Sequence, residues 1–188
     1  MTYNTQSETH QVFNQPQPLE NYNAFDADLT LQYWVNRFGG DWGHTLLSNF
    51  GHRIGHDLLE AGFLANKHLP EFQSHDRFGN RVDQVNYHPS YHALMRHAIE
   101  SQHCALPWRN KKAGGHVVRG AMALLHTQAD PGSGCPLTMT FASVPAISVQ
   151  PDVAEKWLPK ILSGKYDEAN KPWFGKDGVT IGMAMTEK

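Results

Sequence analysis

The sequence predicts a mainly α-helical fold with one small hairpin-like excursion and a single strand at its end. Three observations carry this. Apolar residues recur at helical spacing through most of the middle of the chain. One short stretch changes to mixed polar and apolar runs around a Gly79-Asn80 tip. Near the end, Val179, Ile181, Met183 and Met185 alternate with smaller or polar residues, the period of a strand with one buried face.

Residues 1–24 lack periodicity, and Pro16 and Pro18 break any helix, so this part reads as an arm lying on another surface. The helical domain, residues 25–165, opens near Asp26, a capping residue ahead of the apolar face Leu31, Trp34, Val35 and Phe38. Gly39-Gly40 closes that helix. A second helix covers about Trp42 to Ala65, with Leu47, Phe50, Ile54, Leu58 and Leu59 on one stripe. Gly43, Gly51, Gly55 and Gly62 weaken it, so it needs neighbours close to its backbone, and a sister subunit is one candidate.

Residues 72–76 and 81–85 flank Arg77-Phe78-Gly79-Asn80 and form a small hairpin or a long loop. Pro89 opens the next helix, whose buried side is Tyr91, Leu94, Met95, Ala98 and Ile99, and Pro107 closes that region. A further helix runs through Val117, Val118, Ala121, Leu124, Leu125 and Gln128 and ends before Asp130-Pro131-Gly132. Another starts at Pro136 and carries Met139, Phe141, Ala142 and Val144, with Pro145 bending or ending it. Asp152-Val153-Ala154-Glu155 resembles a capping box and opens a short helix through Trp157, Leu158, Ile161 and Leu162 that Gly164 ends. Residues 166–188 are a polar linker and the terminal strand. The expected total is about six helices.

Composition excludes several classes. The net charge of −2 and the scattered basic residues give no electrostatic case for nucleic acid or an anionic membrane. No apolar run approaches the roughly 20 residues that span a bilayer. The polar start of the chain carries no secretory signal. Two cysteines, Cys104 and Cys135, make no disulfide framework and fit a reducing cytoplasm, each read as a small buried hydrophobe.

Twelve histidines raise the question of a metal. His52 and His56, and His88 and His92, stand four apart on expected helices, a spacing that begins some zinc sites. No metalloprotease glutamate lies between the first pair and no cysteine cluster stands nearby, so surface or hydrogen-bonded imidazoles are the plainer reading. Ser133-Gly134-Cys135 is a glycine-flanked serine without the strand-and-elbow context of a hydrolase nucleophile. Neither a dinucleotide-binding nor a phosphate-loop glycine pattern is present.

Two segments carry a family resemblance. The run from Lys156 to Lys165, Trp157-Leu158-Pro159 followed by Ser163-Gly164, resembles the end of the helical domain of acyl-CoA dehydrogenases. Ala184-Met185-Thr186-Glu187 resembles the start of that family's signature at the flavin. Residues 9–16, 83–92 and 135–142 are similar to adaptive-response flavoproteins of the AidB type. The resemblance implies the N-terminal helical domain of an acyl-CoA dehydrogenase-like fold, with residues 166–188 as linker and first strand of an incomplete β-domain. It implies FAD as cofactor, held by Met183, Ala184, Met185, Thr186 and Glu187, and an acyl-CoA-like substrate. It implies a tetramer and a link to the DNA alkylation response, with DNA bound through a C-terminal region this chain lacks. No glutamate here matches the family's catalytic base, so no catalytic residue is expected in this part. Two other readings stand beside it: a non-catalytic helical oligomerisation module and a histidine-rich metal protein.

Overall fold

The structure is a computed structural model that describes residues 13–184 and residue 186. Helix α1 (Leu29–Arg37) is capped by Asp28 rather than Asp26, since the Asp28 carboxylate accepts the Leu31 N–H at 2.8 Å. Asp26 instead accepts the Ser48 hydroxyl. Beyond the helix, Gly39 takes a left-handed φ of 76°. Only part of the expected apolar face is covered: Val35 is buried, whereas Trp34 and Phe38 stack on each other in solvent.

The single long helix expected next is two helices, α2 (His44–Ile54) and α3 (Asp57–Lys67), parted at Gly55-His56. The glycines explain the break. A Cβ on Gly55 would stand 1.9 Å from the Tyr22 carbonyl oxygen, and one on Gly51 would stand 2.6 Å from the Phe25 nitrogen. The Ala24 N–H donates to the Gly51 carbonyl at 3.0 Å. The Gly62 position meets the Ala129 carbonyl at 1.9 Å. The close neighbours are therefore the chain's own residues 22–25 and the end of a later helix, not a sister subunit.

Strands β1 (Glu71–His75) and β2 (Arg81–Asn86) form an antiparallel hairpin, with Phe72 opposite Val85 and an irregularity between Gln73 and His75. The Asp76 carboxylate folds the turn by accepting the Phe78 and Asn80 N–H groups. Helix α4 (Pro89–Glu100) starts at the expected proline. Pro107 opens rather than closes: it lies in the first turn of the short α5 (Leu106–Arg109). Then come α6 (Gly115–Ala129), α7 (Gly134–Ser148) and α8 (Pro151–Ile161). Pro145 sits inside α7 without ending it. Asp152 does not cap α8; it lies in the first turn and accepts the Gln150 side chain. The described residues thus hold eight α-helices rather than six, because α2–α3 is broken and α5 is an extra turn.

Leu47, Phe50, Ile54, Leu58, Leu94, Val118, Met122 and Leu125 form the main core between α2, α3, α4 and α6. Met95, Ala98, Ile99, Cys104 and Leu137 form a second cluster that fixes α7 against α4. Full burial of each Leu, Ile, Val, Met or Phe side chain among these is worth about 1.5–3 kcal/mol. This packing sets the direction of α7, on which the end of the chain lies. No helix among the described residues is long and apolar enough to cross a membrane.

Candidate functional site

The site is assembled where the chain comes back from α8 and crosses α7. Gly164, at φ 67°, ends the α8 region and starts the connector. The two ends of the connector meet at Gly178, where a Cβ would stand 2.0 Å from the Lys165 carbonyl oxygen. Asp167 ties the connector internally. Its carboxylate takes the Lys171 ammonium at 2.9 Å and the Ala169 and Asp177 N–H groups at 3.1 Å. The bond from Lys171, helped by those backbone donors, holds its pKa down at about 2. Two contacts fasten the connector to α4. Tyr166 shares a 2.7 Å hydrogen bond with His92 Nδ1, and Glu168 pairs with Arg96 at 2.9 Å.

From Gly178 the backbone runs extended along α7. The Ile181 N–H donates to Thr140 Oγ1 at 3.0 Å, and the Met183 N–H points to Met139 Sδ at 3.3 Å. Thr140 is fully buried, and its hydroxyl donates to the Pro136 carbonyl at 2.7 Å, which leaves a lone pair aimed at Ile181. The strand expected over this segment is extended chain without a ladder partner among the described residues. The alternation holds at 179–182, where Val179 and Ile181 are half-buried and Thr180 and Gly182 exposed, and fails at Met183, which is exposed; the Val179 N–H goes to the Lys160 carbonyl and those of Ile181 and Met183 to α7 side chains.

Of the five expected flavin residues, Met183, Ala184 and Thr186 are exposed, and the Met183 N–H meets α7. Met185 and Glu187 lie outside the described residues. The stretch 138–141 divides between two sides. Met139 and Thr140 meet the closing segment, whereas Phe141 packs on Trp108 and lies 4.1 Å under the Arg119 guanidinium. Arg119 also donates to the Thr138 hydroxyl.

The expected histidine pairs serve the fold. The His52 and His56 rings lie 4.2 Å apart, with His56 Nδ1 bonded to the His52 carbonyl. His88 accepts the Ser90 N–H as the cap of α4. Among the described residues no three His, Cys, Asp or Glu side chains are grouped to hold a metal. Cys104 is buried, its thiol pushed up to about 12 by that burial, while Cys135 is exposed rather than buried. Ser133 meets His126 Nε2 at 2.8 Å beside Asp130, but Ser133 and His126 are only 2% and 1% exposed, so no substrate reaches them.

Sequence reasoning missed the buried histidines altogether. Burial lowers the pKa of His97 to about 4, with the Arg53 charge adding to it, and burial lowers His126 to about 4 as well. His103, 1% exposed, is shifted down by the same cause.

Residues 14–168 match the family model of the adaptive response protein AidB N-terminal domain. The chain belongs to the AidB family. It is 40% identical over 184 residues to AidB of Escherichia coli (strain K12), which is classed with the acyl-CoA dehydrogenases; the match covers 96% of this chain and 34% of that protein. Among solved structures, the apo form of Bd2924 superposes with a TM-score of 0.73 at 25% identity, covering 82% of this chain and 32% of the other. Caenorhabditis elegans ACDH-11, solved in complex with C11-CoA, superposes with a TM-score of 0.71 at 18% identity over 88% of this chain and 30% of the other. The second likeness shows the fold: a helical arrangement shared with acyl-CoA dehydrogenases. The chain spans about a third of the length of these relatives.

Proposed function

We propose that this chain forms the helical wall of the flavin site in an FAD-dependent oxidoreductase of the acyl-CoA dehydrogenase type, of the AidB kind and tied to the response to DNA alkylation. One observation supports it most: the chain leading into the segment that resembles the family's flavin edge is pinned to α7 by the Ile181 and Met183 N–H groups, and Met183, Ala184 and Thr186 are exposed. The groups present suit a flat polar ring. The resemblance assigns Met183, Ala184, Met185, Thr186 and Glu187 to the ring; of these, exposed Thr186 carries a hydroxyl that suits it, while Thr140 and Met139 bond the Ile181 and Met183 N–H groups and hold the chain leading there. FAD, when bound, supplies the acceptor for a hydride from an acyl thioester. No glutamate here matches the family's catalytic base, so we place that base outside these residues.

The test is the product of the complete reading frame. It is expected to purify yellow with one FAD per chain, and Thr186→Ala to weaken FAD retention about tenfold, the cost of one buried hydrogen bond. A colourless, flavin-free protein overturns the reading. These 188 residues alone are expected to take up FAD weakly, and tight stoichiometric uptake by them contradicts the division of labour. We place duplex DNA binding outside them as well, in a cytoplasmic protein. The balance of charge supports this, with a net of −2.

A second reading, assembly through this helical part, rests on α1. Leu29, Tyr33, Trp34 and Phe38 are all about half or more exposed on that one helix. A tetramer that covers this face is the expected state of the complete protein. Size-exclusion chromatography of Trp34→Glu decides: an unchanged elution volume removes the helix from the interface.

A further inference from the structure

We propose that the outer edge of the β1–β2 hairpin is a docking surface for a second copy of this chain, joined β1 to β1 about a two-fold axis into one four-stranded sheet. A two-stranded hairpin alone is barely stable in water and ordinarily needs further strands or a covering helix. Neither strand of this hairpin buries a residue. Each pairs only with the other among the described residues.

The two edges of the hairpin differ. β2 borders the groove in front of Tyr91, His92 and Tyr166, which residues 83–86 line. It also carries the extra residue of the irregularity, where Asp83 takes a φ of 44°. A bulge and a charged pair, here Arg81 on Asp83 at 2.6 Å, shield a strand edge from further pairing. β1 has no proline, lysine or extra residue to shield it. Its N–H groups make no main-chain bond outside the ladder among the described residues. The side chain that does reach its main chain is the Gln73 amide, 3.2 Å from the His75 carbonyl, and that oxygen keeps a second lone pair.

The strand is complementary to itself. It reads Glu71-Phe72-Gln73-Ser74-His75. Laid antiparallel on its own copy, with Gln73 facing Gln73, each Glu71 carboxylate falls opposite the second copy's His75, and each Phe72 opposite Ser74. Such directly opposed acid–base pairs stabilise an antiparallel pairing. His75 Nδ1 shares a 3.1 Å hydrogen bond with Ser74 Oγ, which leaves Nε2 for that carboxylate. The two Phe72 rings become diagonal neighbours, within reach of each other. Phe72 is 66% exposed in the single chain, so that burial is gained only on pairing. A slip of one residue puts Glu71 opposite Ser74 and Phe72 opposite Gln73, and both matches are lost. One strand supplies both halves of each match, so the partner that fits is a second copy, in an isologous contact. The surface uses neither α1 nor residues 183–186.

Sedimentation velocity over a concentration series tests this, with the 188-residue chain carrying Trp34→Glu so that the α1 face does not contribute. A monomer–dimer equilibrium is expected. His75→Glu and Glu71→His, added singly, are each expected to weaken it about tenfold, because symmetry removes two pairs at once. Mixed one to one, these two variants again set a carboxylate opposite an imidazole at both positions, and the mixed dimer is expected to regain the strength of the starting chain. Hydrogen exchange locates the contact: amides of 71–75 are expected to gain protection as concentration rises, while those of α1 do not. Circular dichroism checks that the variants fold, and both positions are exposed on the hairpin. A chain that stays monomeric at every concentration, the outcome if another segment of the complete protein adds the third strand, overturns the proposal. So does a folded variant that dimerises like the starting chain, a mixture no stronger than its parts, or protection that appears away from β1. Flavin absorbance of the complete protein is a separate readout, so failure here leaves the flavin reading intact and the reverse.

Discussion

Two regions of this chain bring bare backbone close to a helix, and they end in opposite conditions. Along α2 and α3, glycines 51, 55 and 62 admit main chain to within van der Waals limits, and the visitors are the protein's own residues 22–25 and 129. Along α7, the segment 178–184 is held by three N–H groups, Val179 on the Lys160 carbonyl and Ile181 and Met183 on α7 side chains, and has no ladder partner among the described residues. The first region is complete within the chain. The second offers hydrogen-bonding backbone that the described residues do not use. Tight closure marks the scaffold, and the unfinished edge marks the place for a ligand or further sheet.

The strongest way to break the closed region is acid. His97 and His126 titrate near 4 in the folded chain and near 6.5 when unfolded. A lowered folded value means the unfolded chain binds more protons between those limits. Their stabilising neutrality is full above about pH 6.5 and is lost as pH falls toward 4, at about 2 kcal/mol each by pH 5. His103 acts in the same direction. Asp57 and Asp130, whose pKa values are lowered, lose their contribution only below the ordinary carboxylate value of about 3.9. Denaturant unfolding is expected to show lower stability at pH 5 than at pH 7.5, by about 4 kcal/mol; equal midpoints contradict the burial of these imidazoles. Next in size is Gly62→Ala. Its Cβ meets a main-chain carbonyl that cannot swing aside, so the loss is expected near the upper end of overpacking costs, about 3 kcal/mol. Thermal melting measures it, and an unchanged midpoint means that α3 and α6 are not in such close contact.

What the sequence made legible follows from how local each cause is. The hairpin was visible because Asp76, Gly79 and Asn80 make their turn from neighbours in sequence. Helix α4 was visible from Pro89. The break at Gly55 was not, because the apolar stripe continues through Ile54 and Leu58 and the cause is the Tyr22 carbonyl, distant in sequence. The need for close neighbours could be read from the glycines, but not their identity. His97 and His126 were missed because an imidazole suits a surface as well as a core. His126 follows buried Leu125 on α6 with nothing to separate the two environments in sequence. At the candidate site, period-two alternation correctly told which side chains turn inward between 179 and 182. It could not tell what the main chain would bond, since a ladder requires a partner strand that alternation does not encode.

Smaller effects separate the pinned edge from the open one. Thr140→Val keeps the shape but removes the acceptor for the Ile181 N–H and the donor to Pro136. The expected loss is about 1–2 kcal/mol, confined to the closing segment. Hydrogen exchange should show the Ile181 amide losing protection while α6 amides keep theirs. Uniform loss along the chain shows instead that the contact belongs to the global core.

The smallest effect on stability is expected one residue further on. A Cβ added at Gly182 meets nothing within 4 Å, in contrast to the 1.9 Å approaches at Gly55 and Gly62. Gly182→Ala therefore changes folding stability by no more than about 0.5 kcal/mol. Its methyl group enters open space next to Met183 and Ala184, where we place the flavin ring. The same substitution in the complete protein is expected to reduce FAD retention while leaving the melting temperature of the flavin-free form unchanged. Loss of both together shows that Gly182 is part of the scaffold; loss of neither shows that the ring lies elsewhere. Only retention falling by itself agrees with an edge that the helices hold in place and a cofactor covers.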